Sequence, residues 1–137
     1  MLSFILKKSQ DLNTGNRSNP IVSRVKQILR KMFFIIPMIS EIRGHVLDVG
    51  CGAGIHLEGY SGRSLGIDAS EENINICHRK KLNVIKGEAC HLPVKSNGFD
   101  TVFLSHILEH LEEPEKALNE AYRMIKNSGR IIVVAPC

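Results

Sequence analysis

Apolar residues recur along the first third of the chain at Ile21, Val22, Val25, Ile28, Leu29, Met32, Phe33 and Ile36. That spacing predicts one helix with an apolar stripe, and Arg24, Lys26, Gln27, Arg30 and Lys31 take its other side. Pro37 should end or kink it. Residues 9–20, ahead of it, are polar and rich in turn formers, and read as a loop. From residue 45 the pattern changes to short apolar runs separated by turns and helical spacings. His45 to Val49 reads as a buried strand, followed by a glycine-rich turn and a short helix from about Ile55. Ser64 to Asp68 is a second strand. Ser70, with Glu71 and Glu72 after it, is a helix N-cap with acids in the first turn, and that helix runs to about Lys81. Asn83 to Lys86 is a third strand and residues 88–98 a loop. Thr101 to Ser105 is a fourth strand, leading into a helical turn around His106 to Leu111. Pro114 suits the first position of a helix reaching Lys126, and Asn127-Ser128-Gly129 separates it from a fifth strand, Ile131 to Ala135.

Strand and helix alternate throughout this second region. The alternation predicts an α/β domain with a doubly wound parallel sheet, helices on both faces and a ligand at the carboxyl ends of the strands. Residues 1–43 then form a basic helical extension and residues 44–137 the α/β domain. At 137 residues and 43% hydrophobic, the chain has the length and composition of one globular domain. The net charge of +4 is uneven. Residues 1–43 carry eight Lys/Arg against Asp11 and Glu41, whereas the remainder carries ten against twelve acids. The basic extension reads as a solvated helix face, or as a contact for an anionic membrane, nucleic acid or an acidic substrate.

Other classes find little support. Trp is absent and aromatics make up 5%, so base-stacking recognition has little material and no clear nucleic-acid signal stands out. The longest apolar run, Met32 to Ile39, contains Pro37 and falls far short of the ~20 residues of a membrane-spanning helix. Leu2 to Leu6 is too short for a signal-peptide core and precedes its charges, so a cytoplasmic location is expected. The four cysteines, Cys51, Cys77, Cys90 and Cys137, form no Cys-x-x-Cys pair and are expected as reduced thiols.

The chemistry concentrates in Val46-Leu47-Asp48-Val49-Gly50-Cys51-Gly52-Ala53-Gly54, where a strand ends in a glycine-rich turn and a helix follows. Glycines let backbone approach a ligand and adopt angles closed to other residues. Asp68 lies twenty residues beyond Asp48, at the end of the next strand, where an acid can accept bonds from the hydroxyls of a ribose. The third glycine of a dinucleotide fingerprint is missing, since His56 and Leu57 stand in its place. His106-Ile107-Leu108-Glu109-His110 matches His-x-x-Glu-His, a zinc-peptidase pattern that puts two histidines on one helix face. The last acid downstream is Glu120, a poor source for the usual distant third ligand, so no metal is expected.

These motifs resemble those of class I S-adenosylmethionine-dependent methyltransferases, in particular the type 11, small-molecule group. The resemblance runs from about Val46 to Pro136. Gly66-Ile67-Asp68-Ala69-Ser70 is similar to the family's second motif. Gly87-Glu88-Ala89-Cys90-His91-Leu92-Pro93 and Phe99-Asp100-Thr101-Val102 resemble later segments, and Arg123-Met124-Ile125-Lys126-Asn127-Ser128-Gly129 is similar to its Arg-Val-Leu-Lys-Pro-Gly-Gly. The resemblance implies a Rossmann-like sheet of order 3-2-1-4-5, stopping before the usual sixth and seventh strands. It also implies S-adenosyl-L-methionine as cofactor. Gly50, Cys51, Gly52 and Gly54 would pack against its methionine part through their amides and carbonyls, with Asp48 supporting the turn. Asp68, with Ala69 beside it, would hold the ribose, Glu88 and Ala89 the adenine, and the carbonyl near Ser105 would lie beside the ammonium.

In the family the turn after the fourth strand sits over the methyl group, so His106 or His110 would orient or deprotonate an acceptor, or serve structure alone. The implied activity is methyl transfer to a small or lipid-like acceptor. The alternative is a non-catalytic cofactor-binding or interaction module. A fifth strand left as an edge would offer pairing with a second copy. Residues 21–40 are expected as a lid, with Met32, Phe33 and Ile36 lining the acceptor site; the competing readings are a stripe packed permanently on the sheet or laid on an anionic membrane.

Overall fold

The computed structural model of the chain describes Ile21, residues 41–60 and residues 63–135. The expected helix beyond Ile21, its basic face and the lid residues Met32, Phe33 and Ile36 lie outside the described residues. Gly44 onward falls in one compact unit, and Ile21 and residues 41–43 in another.

The first unit is an α/β sheet. Its strands are β1 (Val46–Val49), β2 (Ser64–Asp68), β3 (Val84–Lys86), β4 (Phe99–Ser105) and β5 (Ile125–Val134). They pair in parallel in the order 3-2-1-4-5. Among its described residues the helices are α1 (Ile55–Glu58), α2 (Glu71–Arg79) and α3 (Pro114–Met124), with a 3-10 turn at Leu108–His110. Every residue of β1 is buried, as a central parallel strand covered on both faces requires.

Alternation along the strands sorts the two faces. Leu47 and Val49 join Val102, Leu104 and Ile131 in a core closed by Ala117, Ala121 and Met124, the inward stripe of α3. Burying each large apolar side chain here contributes about 1.5–3 kcal/mol. On the opposite face Cys51, Leu57, Ile74, Cys77 and Val84 form a second cluster under α1 and α2. Asp48 belongs to this second side. It lies in register with Gly66 on β2 and Phe103 on β4, so a carboxylate occupies the middle of a covered row.

The carboxyl ends of β1 to β4 lie side by side because β1 is central, and the crossovers that follow these strands emerge there. Ser70 caps α2 as expected, its Oγ accepting from the Asn73 amide at 3.4 Å, and Pro114 opens α3. The end of α3 differs from expectation. The helix stops at Met124 rather than Lys126, and β5 begins at once with Ile125, whose backbone is extended. Ile125 pairs with Phe99, the ladder is interrupted, and pairing resumes at Arg130 with Thr101. Burial explains the early stop: Met124 and Ile125 both enter the core. Lys126 instead reaches the Asp100 carboxylate at 2.9 Å.

Two polar clamps hold the connections. Asp100 accepts from the His45 amide at 2.8 Å and from Lys126, tying the entry of β1 to β4 and β5. Glu120 accepts from the Leu92 amide at 2.7 Å and from Arg123, whose guanidinium also donates to the carbonyls of Leu92 and Val94. That second clamp fixes the long loop between β3 and β4. A shallow depression of about 700 Å³ lies against it, lined by residues 91–95 with Glu120 and Arg123 and by none of the glycine turn.

Candidate functional site

The glycine turn is built by its backbone. The amides of Gly50 and Cys51 both donate to the Ile67 carbonyl, at 2.7 and 3.1 Å, and the Gly54 amide donates to the Cys51 carbonyl at 3.0 Å. Gly52 and Gly54 have φ of +54° and +80°, a left-handed backbone that favours glycine. They need glycine for different reasons. A Cβ at Gly54 would strike the Leu82 side chain at 2.4 Å, whereas one at Gly52 meets nothing within 4 Å. Gly52 therefore borders open space, and its bare Cα is where a ligand can approach the backbone closely.

Asp68, at the end of β2, staples this turn to α2. One oxygen accepts from the Gly52 amide at 2.8 Å, and the other accepts from the Ser70 amide at 2.9 Å and Asn73 Nδ2 at 3.1 Å. A carboxylate has about four lone-pair sites, so three are spent on the protein and one remains for a ligand. The expected ribose acceptor is thus also the residue that holds the glycine turn in place. The amides of Gly50, Cys51, Gly52 and Gly54 are likewise engaged internally, which leaves carbonyl oxygens and the bare Gly52 Cα for a ligand.

Asp48 lies beneath the turn. It is 1% exposed, and neither carboxylate oxygen has a hydrogen-bond partner. An orphaned, buried carboxylate is costly and calls for an explanation. Burial first, and then the charge of Asp68, pushes its pKa up to about 7. His56 Nδ1, on α1, stands 3.9 Å from Asp48 Oδ2, and the imidazole packs edge-on against Phe103 with centroids 4.9 Å apart. Cys51 and Cys77 occupy the same side, and Cys77 Sγ donates to the Gly52 carbonyl at 3.3 Å. Burial, more than any other cause, raises both thiols, so they remain protonated and serve as packing groups.

The remaining expected residues fall on the neighbouring strand ends. Glu88 is exposed and Ala89 buried just past β3, where the Gly87 amide donates to the Asp68 carbonyl at 3.0 Å. Ala69 is exposed beside Asp68, and Ser105 closes β4. The strand order thereby brings the residues assigned to the methionine part, the ribose and the adenine along one edge. The turn after β4 closes in from the other side: a Cβ on Gly50 would meet Ile107 Cδ1 at 2.3 Å.

The His-x-x-Glu-His segment does not fold as its spacing suggested. His106 has φ +52° and precedes a lone 3-10 turn, so His106 and His110 do not share the face of an α-helix. The His106 amide donates to the Val134 carbonyl at 2.7 Å, which pins this left-handed residue to the end of β5. Its Nδ1 lies 3.5 Å from Glu109 Oε1. Among the described residues no group of three His, Cys, Asp or Glu is placed to hold a metal.

Sequence reasoning missed His56, Asn73 and Ile107. Asn73 had a signal, since it stands three residues after the Ser70 cap. His56 had none beyond occupying the helix that follows the turn.

An orphaned carboxylate, a turn open at Gly52 and an acid at the next strand end fit a nucleoside-bearing ligand with cationic character, and S-adenosylmethionine has that chemistry. Comparison with known proteins agrees. A family model described as a methyltransferase domain matches residues 47–133. The demethylmenaquinone methyltransferase of Renibacterium salmoninarum is 30% identical over 122 residues, covering 85% of this chain and 51% of that protein. Two crystal structures share the fold. A SAM-dependent methyltransferase from Archaeoglobus fulgidus has a TM-score of 0.63 and 32% identity, over 77% of this chain and 50% of that one. A SAM-dependent methyltransferase from Thermotoga maritima, a possible histamine N-methyltransferase, has a TM-score of 0.67 and 26% identity, over 80% and 56%. The chain spans about half the length of the curated relatives it matches or less. The match of fold, motifs and family model makes the chain a member of the type 11 methyltransferase-domain family.

Proposed function

We propose that the chain binds S-adenosylmethionine in the glycine turn and transfers its methyl group to a small-molecule acceptor. The observation that carries this reading is the unpartnered Asp48 carboxylate buried under a turn whose Gly52 opens on empty space. When bound, the cofactor supplies a methyl group already activated by the sulfonium. The protein's part is to bind, orient and exclude water. Asp68 contributes its remaining acceptor site to a ribose hydroxyl and holds the turn through Gly52. Glu88 and Ala89 lie where the adenine would be recognised, and the carbonyl of Ser105 and the charge of Asp48 favour the cationic end. Asp48 serves best when ionised, which its environment allows only near neutral pH and above.

His106 is the candidate for handling the acceptor's proton, with Glu109 orienting its imidazole. Its left-handed backbone at the end of β4 is the kind of local strain that collects at functional sites. The relatives' names point to different acceptors, demethylmenaquinone in one and, as a possibility, histamine in another. The acceptor class is therefore read as small-molecule and no further. The test is calorimetric titration with S-adenosylmethionine, followed by turnover over a panel of quinol, phenol and amine acceptors, scoring S-adenosylhomocysteine release. Saturable binding with release on one acceptor class is expected. No binding at neutral pH overturns the reading, and binding with no release on any acceptor reduces it to a cofactor-binding module.

A further inference from the structure

The strand order changes direction between β1 and β4. The crossovers from β1 and β2 lay α1 and α2 over one face, and the crossover from β4 lays α3 over the other. In such sheets a ligand enters the crevice where the carboxyl ends of those two strands part. Val49 pairs with Leu104, so Gly50 and Ser105 leave the sheet side by side. Two residues further on, the Ile107 side chain crosses back over this seam and rests on Gly50. A Cβ added to Gly50 would lie 3.2 Å from Ile107 Cβ and 3.1 Å from Cγ1, with Cδ1 nearer still. Gly50, at φ +72°, is thus committed to a contact within the protein, while Gly52 faces open space.

The segment that carries Ile107 has little to hold it from within. It leads into a lone 3-10 turn, closed by bonds from the His110 amide to the Ile107 carbonyl at 3.0 Å and from the Leu111 amide to the Leu108 carbonyl at 3.3 Å. Its position comes from outside. The His106 amide ties it to Val134 on β5 at 2.7 Å. Ile107 ties it to the glycine turn, and packs on the core with Leu108 and Leu111. A β-branched side chain is stiff about χ1, which suits it to fixing a distance. Both ties leave the His106 side chain largely exposed. The glycine turn, by contrast, is built from β2. Gly50 and Cys51 donate to the Ile67 carbonyl and Gly52 to Asp68, and none of these bonds involves Ile107. Without Ile107 the glycine turn keeps its own bonds, whereas the turn after β4 loses its tie to it.

We propose that Ile107 is a positioning residue that sets the distance between the His106 turn and the glycine turn, so that shortening it costs methyl transfer and spares cofactor affinity. This rests on the reading of the glycine turn as an S-adenosylmethionine site with His106 facing the acceptor. Methyl transfer needs the acceptor in line with the sulfonium, and a displacement of about 1 Å can cost about a hundredfold in rate. Ile107 touches neither reactant in this scheme and acts through the backbone of His106.

The experiment compares wild type, Ile107→Val and Ile107→Ala in three measurements. These are calorimetric titration with S-adenosylmethionine, steady-state turnover on the panel acceptor that wild type uses, and amide hydrogen exchange with S-adenosylmethionine bound. Ile107→Val removes only Cδ1, the atom nearest Gly50, and Ile107→Ala removes the whole reach. Ile107→Ala should bind S-adenosylmethionine within about threefold of wild type and lose at least about tenfold in kcat. Its amides should exchange faster over residues 106–111 and unchanged over residues 50–54. Ile107→Val should fall between, with a few-fold loss in kcat and wild-type affinity. A merely structural Ile107 would lower affinity and kcat together or change neither, and either result overturns the proposal. Should Ile107→Ala fail to fold, Ile107→Val decides: kcat and exchange equal to wild type overturn the proposal. Exchange needs no acceptor, so if wild type binds the cofactor but turns over nothing, unchanged exchange over residues 106–111 in the variants overturns the inference alone. Wild type that binds no S-adenosylmethionine overturns the site reading with it.

Discussion

Asp48 and Asp100 are the same residue type on neighbouring strands of one sheet, and the fold treats them oppositely. Asp100, at the amino end of β4, accepts from the His45 amide and from Lys126, and these hydrogen bonds hold its pKa below the usual carboxylate value. Asp48, near the carboxyl end of β1, has no partner on either oxygen and is pushed up to about 7. At one end of the sheet charge is satisfied by the protein itself. At the other, a buried carboxylate has no partner from the protein. Positive φ does not divide the ends in this way: Gly50, Gly52, Gly54 and His106 adopt it at the carboxyl end, and Gly44, Lys81 and Asn97 ahead of β1, β3 and β4. The imbalance at Asp48 is what the proposed function explains, and it is the first thing to test.

The sharpest way to break this contrast is to fill the open end. Gly52→Val places a branched side chain at φ +54°, in space a ligand would enter. Loss of S-adenosylmethionine binding by titration is expected, at least a hundredfold, with helix content by circular dichroism close to wild type. If the variant binds normally, the open end is not where the ligand sits.

Next in size is Asp48→Asn. An acid whose folded pKa is raised destabilises the fold wherever it ionises. The cost is absent below the unfolded value of 3.8, grows as pH rises and is complete above about 7. Wild type should therefore lose stability from pH 5 to pH 8 relative to Asp48→Asn, by a few kcal/mol at about 1.4 kcal/mol per pKa unit. Paired thermal melts at the two pH values read it. A pH-independent difference would show that Asp48 finds a partner within the protein.

Arg123→Ala acts away from the open end, on the loop between β3 and β4. It leaves Glu120 with the Leu92 amide alone and the carbonyls of Leu92 and Val94 without their guanidinium donor. Because this side chain is partly exposed and water can replace some of those bonds, the expected loss is modest, about 1–2 kcal/mol. Faster proteolysis within residues 88–98, with S-adenosylmethionine affinity within a few-fold of wild type, would separate this clamp from the binding end. Protease resistance equal to wild type would show that the loop is held by its apolar contacts instead.

The sequence was readable wherever local chemistry decides. Apolar runs located all five strands, Pro114 and Ser70 marked the starts of their helices, and the glycines announced a turn that ordinary residues cannot make. It was unreadable where distant partners decide. Nothing near Met124 says that Ile125 will leave the helix to pair with Phe99, because that choice is made by β4. The spacing of His106 and His110 suggested a helix, yet the chain there is governed by the bond from the His106 amide to Val134. Asp48 could be placed in a buried strand, but its having no partner is a property of every residue around it. Asp68 was legible as an acid at a strand end, while its bond to Gly52 requires the folded turn.

The smallest expected effect is on the satisfied aspartate. Asp100→Asn removes the charge that Lys126 pairs with and weakens the acceptor for the His45 amide, while keeping the side chain's shape. Asp100 is about a third exposed, so solvent screens the pair and the loss at neutral pH should be at most about 1 kcal/mol. The sign with pH is opposite to that of Asp48. A carboxyl with a lowered folded pKa stabilises above its unfolded value of 3.8, and the benefit disappears as pH falls through the folded value. Wild type should thus exceed Asp100→Asn in thermal midpoint from pH 5 upward and converge with it below pH 3. Rising salt should narrow the gap at pH 7 by screening Lys126. A gap that persists at pH 2.5 would mean that Asp100 acts through shape and packing, and the charge contrast between the two ends of the sheet would then rest on Asp48 alone.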